Sequence, residues 1–147
     1  MESRFMSRAI QLARECFADG EVPVGAVIVK DGKIIGEGKN CRESKKKTVS
    51  HAETEAIEAA NRAIGDWRLD GCSIYVTLEP CLMCAGAIAA ARISEIVFGA
   101  YDNERGFVSS RADINALADK KTTVFGGIKE DECKEILDEF FNLCRKQ

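Results

Sequence analysis

A nearly uninterrupted apolar segment close to the start of the chain limits the possible folds more than any other feature. Residues 24–30 carry no charge until the final lysine, and the pair Asp31-Gly32 separates them from a second strand-like segment at residues 33–38. Asp-Gly in such a position is typical of a two-residue β-hairpin turn. A strand without a polar face is covered on both sides, so we expect residues 24–30 to lie inside a sheet with helices above and below it.

Helix-like and strand-like segments alternate along the rest of the chain. Apolar residues at helical spacing predict the helices, and short apolar runs bounded by turn residues predict three more strands. The predicted helices span residues 3–18, 51–64, 81–92 and 130–145, and the further strands span residues 73–78, 95–100 and 122–125. This order predicts one α/β domain, residues 1–147, with a mixed sheet of five strands and helices on both faces.

The composition is that of a globular domain. Of the 147 residues, 46% are hydrophobic and 31% are charged, and the net charge is -3. No segment approaches the roughly 18 apolar residues that a membrane span needs, and the first residues do not resemble an export signal. The cysteine count of 7 is odd, which favours free thiols in a reducing compartment. We therefore expect a cytoplasmic protein with no membrane partner, whose net charge alone does not attract nucleic acid.

The only histidine of the chain and a pair of cysteines have the character of metal ligands. His51 lies in His51-Ala52-Glu53, and the cysteines lie in Pro80-Cys81-Leu82-Met83-Cys84. Zinc prefers four tetrahedral nitrogen or sulfur ligands, and a catalytic site leaves one position for water. His51, Cys81 and Cys84 fill three positions. Thiolate-rich ligation makes Zn²⁺, one per chain, the expected cofactor.

Both parts of this group are predicted at helix starts. Pro80 suits a first helical position, which places Cys81 and Cys84 on one side of an opening turn, where the helix dipole favours thiolates. Glu53 follows His51 by two residues and points away from it on a helix, so it is poorly placed as a ligand. From there it can move protons between a water molecule and a leaving nitrogen. The pattern predicts hydrolytic chemistry with Glu53 as the catalytic residue, and its match to the zinc-deaminase signature implies that the reaction is deamination.

A structural zinc site is the alternative that the residues leave open. Cysteine pairs with this spacing are common in structural sites, and Cys41 or Cys72 could supply a fourth ligand. The cysteine pair, however, is predicted on one Ala-rich helix, and a structural site would leave Glu53 without a role. The cysteines that we expect in the hydrophobic core, because they lie on apolar-periodic segments, are Cys16, Cys72, Cys133 and Cys144.

The two motifs match the H-x-E and P-C-x-x-C signature of the zinc deaminases, and the wider sequence resembles the bacterial tRNA-specific adenosine deaminase family. The resemblance covers nearly the whole chain and is densest from residue 67 to residue 106. Beyond the signature, it rests on residues 20–26, 40, 67–69, 75–81, 83–88, 91–93 and 98–100. It implies a three-layer α/β/α cytidine-deaminase-like fold, a homodimer, and conversion of adenosine to inosine at the wobble position of a tRNA anticodon.

The resemblance also implies which residues contact the substrate. Asn40 would hydrogen-bond the base, helped by the backbone around Val22. The implied substrate-binding residues are Asn40, Val22, Pro23, Glu79 and Asp102, and the candidate phosphate contacts are Arg105, Arg111 and Lys120. A purine C6 is accessible only in an unstacked base, and the loop of a tRNA anticodon offers such a base.

A smaller substrate is the second possibility. The acidic net charge of -3 gives no general attraction for RNA. The family usually has an Asn-His-Arg stretch ahead of its last strand, whereas this chain is shortened there and lacks it at residues 116–121. These two features favour a free base or nucleoside such as guanine, cytosine or a modified purine. The chemistry is therefore predicted from His51, Glu53, Cys81 and Cys84, and the substrate is predicted from the family resemblance.

Overall fold

The computed structural model describes residues 2–116, 118 and 121–146, and within them it contains five α-helices and five β-strands. In chain order the elements are α1 (Ser3–Ala18), β1 (Gly25–Lys30), β2 (Lys33–Lys39), α2 (Arg42–Lys45), α3 (Ala52–Ile64), β3 (Ser73–Leu78), α4 (Leu82–Ala90), β4 (Glu95–Ala100), β5 (Thr123–Phe125) and α5 (Glu130–Arg145). The predicted helices and strands are confirmed to within a few residues. The short helix α2 was not predicted.

The strands form one mixed sheet in the order β2-β1-β3-β4-β5. β1 pairs antiparallel with both β2 and β3, whereas β3 and β4, and β4 and β5, are parallel. Asp31 and Gly32 connect β1 to β2 with φ angles of 51° and 75°. These left-handed values are those that a type I′ hairpin turn requires. The predicted hairpin and the interior position of β1 are both confirmed.

Two apolar clusters cover the two faces of the sheet. One cluster joins residues such as Ile28 and Ile74 to α3 and α4. The other joins the alternate strand residues, such as Val27 and Tyr75, to α1 and α5. Side chains alternate between the faces of a strand, so one strand supplies both clusters. The result is the predicted three-layer α/β/α arrangement.

Glycines in β2 bring the sheet unusually close to α3. A Cβ on Gly38 would overlap the carbonyl oxygen of Ala52, and a Cβ on Gly36 would overlap the backbone of Ala56 and Ala60. Only residues without a side chain allow this approach. Because Ala52 is the first residue of α3, the contact at Gly38 sets the position of the helix start, where His51 and Glu53 lie.

Two details differ from the sequence-based expectations. Cys144 is exposed, since residues 141–146 at the end of α5 are all exposed. Pro80 precedes α4 and is not its first residue, because the helix begins at Leu82 with Cys81 as its N-cap. The carbonyl of Pro80 accepts the N–H of Phe107 at 2.9 Å, which keeps the chain extended before the helix begins. In the described part of the chain, no helix is both long and apolar enough to cross a membrane.

Candidate active site

His51, Cys81 and Cys84 meet at the end of the sheet where β3 ends. His51 is the N-cap of α3, and its backbone N–H donates to Oγ1 of Thr54 at 3.1 Å. Cys81 is the N-cap of α4, and Cys84 lies in the first turn of that helix. Nδ1 of His51 lies 3.7 Å from Sγ of Cys81 and 3.4 Å from Sγ of Cys84. Two helix starts, thirty residues apart in sequence, therefore bring three ligand atoms together.

The spacing of the three atoms suits a zinc ion. Zn–S bonds of about 2.3 Å and Zn–N bonds of about 2.0–2.1 Å at tetrahedral angles give a sulfur–nitrogen distance of about 3.6 Å. The two observed distances, 3.7 Å and 3.4 Å, lie on either side of that value. Within the described residues no fourth His, Cys, Asp or Glu joins the group, so neither Cys41 nor Cys72 completes it. Three protein ligands are the number that catalytic zinc sites use.

The two thiols interact strongly. A hydrogen bond from Cys84 and a smaller contribution from His51 together lower the pKa of Cys81 to about 3, against the opposing effect of burial. The same hydrogen bond, together with burial, raises the pKa of Cys84. Two thiolates this close repel each other unless a cation lies between them. A divalent metal ion would remove the conflict by binding both sulfurs as thiolates.

The carboxyl group of Glu53 is buried beside the ligand atoms. Its side chain is 4% exposed. Burial, reinforced by the Cys81 sulfur, raises the pKa of Glu53 to about 7. A carboxyl group with a pKa near neutrality can both accept and donate a proton. The structure therefore brings Glu53 next to the three ligand residues, and its proton-transfer role stays a prediction.

A cavity of about 240 Å³ opens above this group. It is formed at the start of β1 and at the carboxyl ends of the parallel strands β3 and β4, where open α/β sheets commonly bind ligands. Its lining includes the predicted residues Val22, Asn40, His51, Glu53, Glu79, Cys81, Asp102 and Arg105. Among the other predicted residues, Cys84, Pro23 and Arg111 are absent from the described lining, and Lys120 lies outside the described residues.

Asn40 is held in one wall of the cavity by its own side chain. Its Nδ2 donates to the carbonyl oxygen of Val22 at 3.1 Å, and its Oδ1 accepts the N–H of Arg42 at 3.2 Å. Below it, the buried thiol of Cys16 donates to the carbonyl oxygens of Val24 and Asn40 at 3.3 and 3.4 Å. An asparagine amide has two N–H groups, so one is left for a substrate.

The same wall contains a further basic residue. Arg42, in the first turn of α2, lines the cavity. Glu21 is 2% exposed and accepts the backbone N–H groups of Glu43 and Ser44 at 3.1 and 2.8 Å. It thereby caps the start of α2 from a distant part of the chain. A cap of this kind leaves no local sequence pattern, which explains why α2 was missed.

Asp102 and Arg105 line another wall of the cavity and belong to residues 102–110, which we call the 102–110 loop. Oδ1 of Asp102 accepts the backbone N–H groups of Glu104 and Arg105 at 3.1 and 3.0 Å, which closes a turn. Arg105 lines the cavity. Arg111 instead donates back to the carbonyl oxygen of Glu104 at 3.0 Å. The loop therefore presents Asp102 and Arg105 to the cavity, while Arg111 lies outside it.

Fold and site together define a hydrolytic nucleobase deaminase, in which a His-Cys-Cys group and a neighbouring glutamate face a base-sized cavity. The profile of the MafB19-like deaminase family matches residues 2–145. A tRNA-specific adenosine deaminase of Bacillus subtilis (strain 168) is 42% identical over 147 residues, which cover 97% of this chain and 90% of that protein. The chain belongs to the MafB19-like deaminase family and, with this relative, to the bacterial tRNA-specific adenosine deaminases.

Two solved structures are also similar. One comes from work on A-to-I editing by tRNA:A34 deaminases at the wobble position of transfer RNA. It matches with a TM-score of 0.89 and 39% identity, over 92% of this chain and 100% of that chain. The other is a guanine deaminase from Bacillus subtilis, with a TM-score of 0.66 and 42% identity, over 69% of this chain and 65% of that chain. The predicted family and fold are confirmed.

Proposed function

We propose that the protein is a zinc-dependent aminohydrolase that converts adenosine to inosine at the wobble position of a tRNA anticodon. The observation that carries the proposal is the meeting of three ligand atoms with a buried carboxyl group beside one cavity. The family supplies the substrate, since the relative from Bacillus subtilis is a tRNA-specific adenosine deaminase.

His51, Cys81 and Cys84 would hold one Zn²⁺ ion per chain. Two thiolates and a neutral imidazole balance its charge. When bound, zinc supplies Lewis-acid activation, lowering the pKa of a water molecule at its open position. Because His51 and Cys81 line the cavity, the base would approach the metal site from the cavity.

Glu53 would move the protons of the reaction. Its carboxylate accepts a proton from the attacking water and passes it to N1 of adenine as the new C–O bond forms at C6. It then takes the hydroxyl proton from the same intermediate and delivers it to the exocyclic nitrogen, so the C–N bond breaks and ammonia leaves. Adenosine and water thus become inosine and ammonia, and Glu53 ends the cycle unchanged.

The walls of the cavity would bind the base and its flanking nucleotides. The remaining N–H of Asn40 would donate to the base, beside the backbone of Val22 and Pro23. Asp102 would border the flanking nucleotides, with Glu79 buried behind it. Entry of one base requires that it leave its stack, which costs least in a loop.

The phosphate contacts would come mainly from the 102–110 loop. Arg105 is exposed and lines the cavity, so its guanidinium can reach a phosphate next to the bound base. Arg111 is exposed outside the cavity and suits a more distant phosphate. Lys120 remains a proposal from the sequence alone. These local cations would have to outweigh the overall charge of -3.

A free base is the second candidate substrate, because the guanine deaminase from Bacillus subtilis shares 42% identity over part of the chain. A guanine, cytosine or modified-purine deaminase would use the same zinc ligands and Glu53. It would not need Arg105 or Arg111, since a free base carries no phosphate. The two candidates therefore differ in the role of these arginines and not in the chemistry.

We further propose a homodimer that works in the cytoplasm. α4 has no charged residue, and Leu82, Gly86 and Ala90 are exposed along one side of it. Leu82, the largest of the three, is 58% exposed. Small residues on a helix let a second helix approach closely, so a second copy of the chain fits this side. The cytoplasm is where tRNA substrates occur and where thiolate ligands stay reduced.

The test is a stem-loop RNA that carries adenosine at the wobble position. We expect inosine at that position, detected by nuclease digestion and chromatography of the nucleosides. A control stem-loop has its only adenosine within the paired stem, where it should remain unchanged. Absence of inosine from the first RNA, with a zinc-loaded and folded protein, would contradict the proposal.

A further inference from the structure

Glu79 is a buried carboxylate whose role the chemistry of deamination does not explain. It lies between the end of β3 and the ligand Cys81, and it is 2% exposed. The family resemblance suggests that it borders the substrate. In the structure its side chain is turned into the 102–110 loop.

Both oxygens of Glu79 are fully used by that loop. Oε1 accepts the backbone N–H of Asp102 at 3.1 Å and the hydroxyl of Ser110. Oε2 accepts the N–H groups of Val108, Ser109 and Ser110 at 3.3, 2.8 and 2.8 Å. An ionised carboxylate has about four acceptor sites. Five donors fill them, so no acceptor site is left for a nucleotide.

The backbone around Glu79 also contacts the loop closely. A Cβ on Gly106 would overlap the carboxyl group of Glu79, so the loop backbone passes directly over it. Gly106 forms a β-bridge with Cys81, and the N–H of Phe107 donates to the carbonyl of Pro80 at 2.9 Å. The loop is thus folded around the segment that carries a metal ligand.

We propose that Glu79 is a positioning residue for substrate recognition, which holds the 102–110 loop in place as one wall of the cavity. Its bonds lie at both ends of the loop, at Asp102 and at residues 108–110. Between them is Arg105, which lines the cavity together with Asp102. Glu79 therefore sets how these two side chains face the nucleotides that flank the base. The role in recognition rests on the proposed function, whereas the hold on the loop does not.

A carboxylate is needed for this role because the loop offers only donors. Glutamine has the same shape but one acceptor oxygen, and its amide would turn two N–H groups toward other N–H groups. Buried donors without acceptors are costly. The loop should therefore move away from residue 79 in the variant Glu79→Gln, while the metal ligands stay in place.

The first experiment is amide hydrogen exchange on the zinc-loaded protein, which needs no substrate. In Glu79→Gln we expect exchange of the backbone N–H groups of residues 102–110 to be at least about tenfold faster than in the unchanged protein. Ser110→Ala removes one of the five donors and should give a smaller increase in the same segment. Glu37→Gln, at an exposed ion pair with Arg8, is the control and should leave the loop unchanged.

The second experiment is steady-state kinetics with the wobble stem-loop. We expect Glu79→Gln to raise KM about tenfold or more while kcat falls only a few-fold. The reason is that the 102–110 loop contributes to binding of the RNA, whereas Glu53 carries out the chemical step. Zinc content should stay at one ion per chain. Unchanged exchange in the loop would overturn the proposal, as would a loss of kcat with an unchanged KM.

The variants separate this proposal from the proposed function. If the unchanged protein does not deaminate the stem-loop, the proposed function fails, and the hydrogen-exchange result still decides whether Glu79 holds the loop. If Glu79→Gln does not fold, hydrogen exchange and kinetics are both measured on Ser110→Ala instead. Normal loop exchange in Ser110→Ala would then contradict the proposal.

Discussion

Sγ of Cys84 lies 3.4 Å from Nδ1 of His51, although the two residues belong to different helices. Both atoms are held by the first turns of α3 and α4, which begin at the same end of the sheet. Such proximity of a thiol and an imidazole is the geometry that a shared metal ion needs. The arrangement of the two helices therefore brings the ligand atoms together.

Metal content gives the first prediction. The purified protein should contain about one zinc ion per chain, and Cys81→Ser or Cys84→Ser should lose most of it, because a serine hydroxyl does not supply a thiolate. Elemental analysis after dialysis measures this. Cys144→Ser is the matched control, since Cys144 is exposed and does not belong to the group, and it should keep its zinc. Full zinc content in the Cys84→Ser protein would refute the site.

Glu53 gives the second prediction. Glu53→Gln should keep its zinc and its fold but lose activity by a factor of about 10² to 10⁴, the usual contribution of a general acid–base group. Metal analysis, circular dichroism and inosine formation report the three properties. Glu58→Gln, an exposed position on the same helix, serves as the control and should retain activity. Turnover within a few-fold of the unchanged protein would exclude the proposed role of Glu53.

The close contact between β2 and α3 gives a prediction on stability. Gly38→Ala should lower the free energy of unfolding by about 1–3 kcal/mol, because the added Cβ overlaps the carbonyl of Ala52 and forces the helix start to shift. Glu37 is adjacent but forms an exposed ion pair with Arg8 at 2.6 Å. Glu37→Ala should cost about 1 kcal/mol or less. Urea unfolding compares the two variants, and equal costs would argue against the contact.

Alkaline stability can be predicted from a buried thiol. Burial raises the pKa of Cys16 from 9.0 to about 11. The unfolded chain therefore loses this proton at a lower pH than the folded chain. The contribution of the neutral Cys16 thiol to the free energy of unfolding is complete below pH 9.0 and is lost as the pH rises toward about 11. Cys16→Ser does not ionise there and should flatten this part of the pH dependence. Unfolding midpoints measured across this range test the effect, and identical slopes for both proteins would contradict it.

The sequence was sufficient for the features that depend on local pattern. Asp31-Gly32 between two apolar segments predicted the hairpin, and its φ angles match the predicted turn. The group of His51, Cys81 and Cys84 could be predicted because ligand chemistry demands particular residue types at particular spacings, and the structure brings the three ligand atoms together. Such patterns can be read without knowing any long-range contact.

The features that the sequence did not predict depend on contacts between distant segments. Glu21 caps α2 across 22 residues, and Glu79 accepts hydrogen bonds from residues up to 31 positions away. Neither carboxylate differs locally from a solvated surface glutamate. Cys144 was expected in the core because its spacing on α5 is helical, but the end of α5 is exposed. Periodicity shows which face of a helix is apolar. It does not show how far along the helix other elements cover that face.

Competition between the two candidate substrates tests the central claim most directly. The zinc-loaded protein is given the wobble stem-loop together with guanine, cytosine and free adenosine, and kcat/KM is measured for each from inosine, xanthine, uracil and ammonia formation. We predict that the stem-loop has the highest kcat/KM by at least about a hundredfold, since only RNA can contact Arg105 and Asp102 through its flanking nucleotides. A higher kcat/KM for guanine or another free base than for the stem-loop would contradict the account.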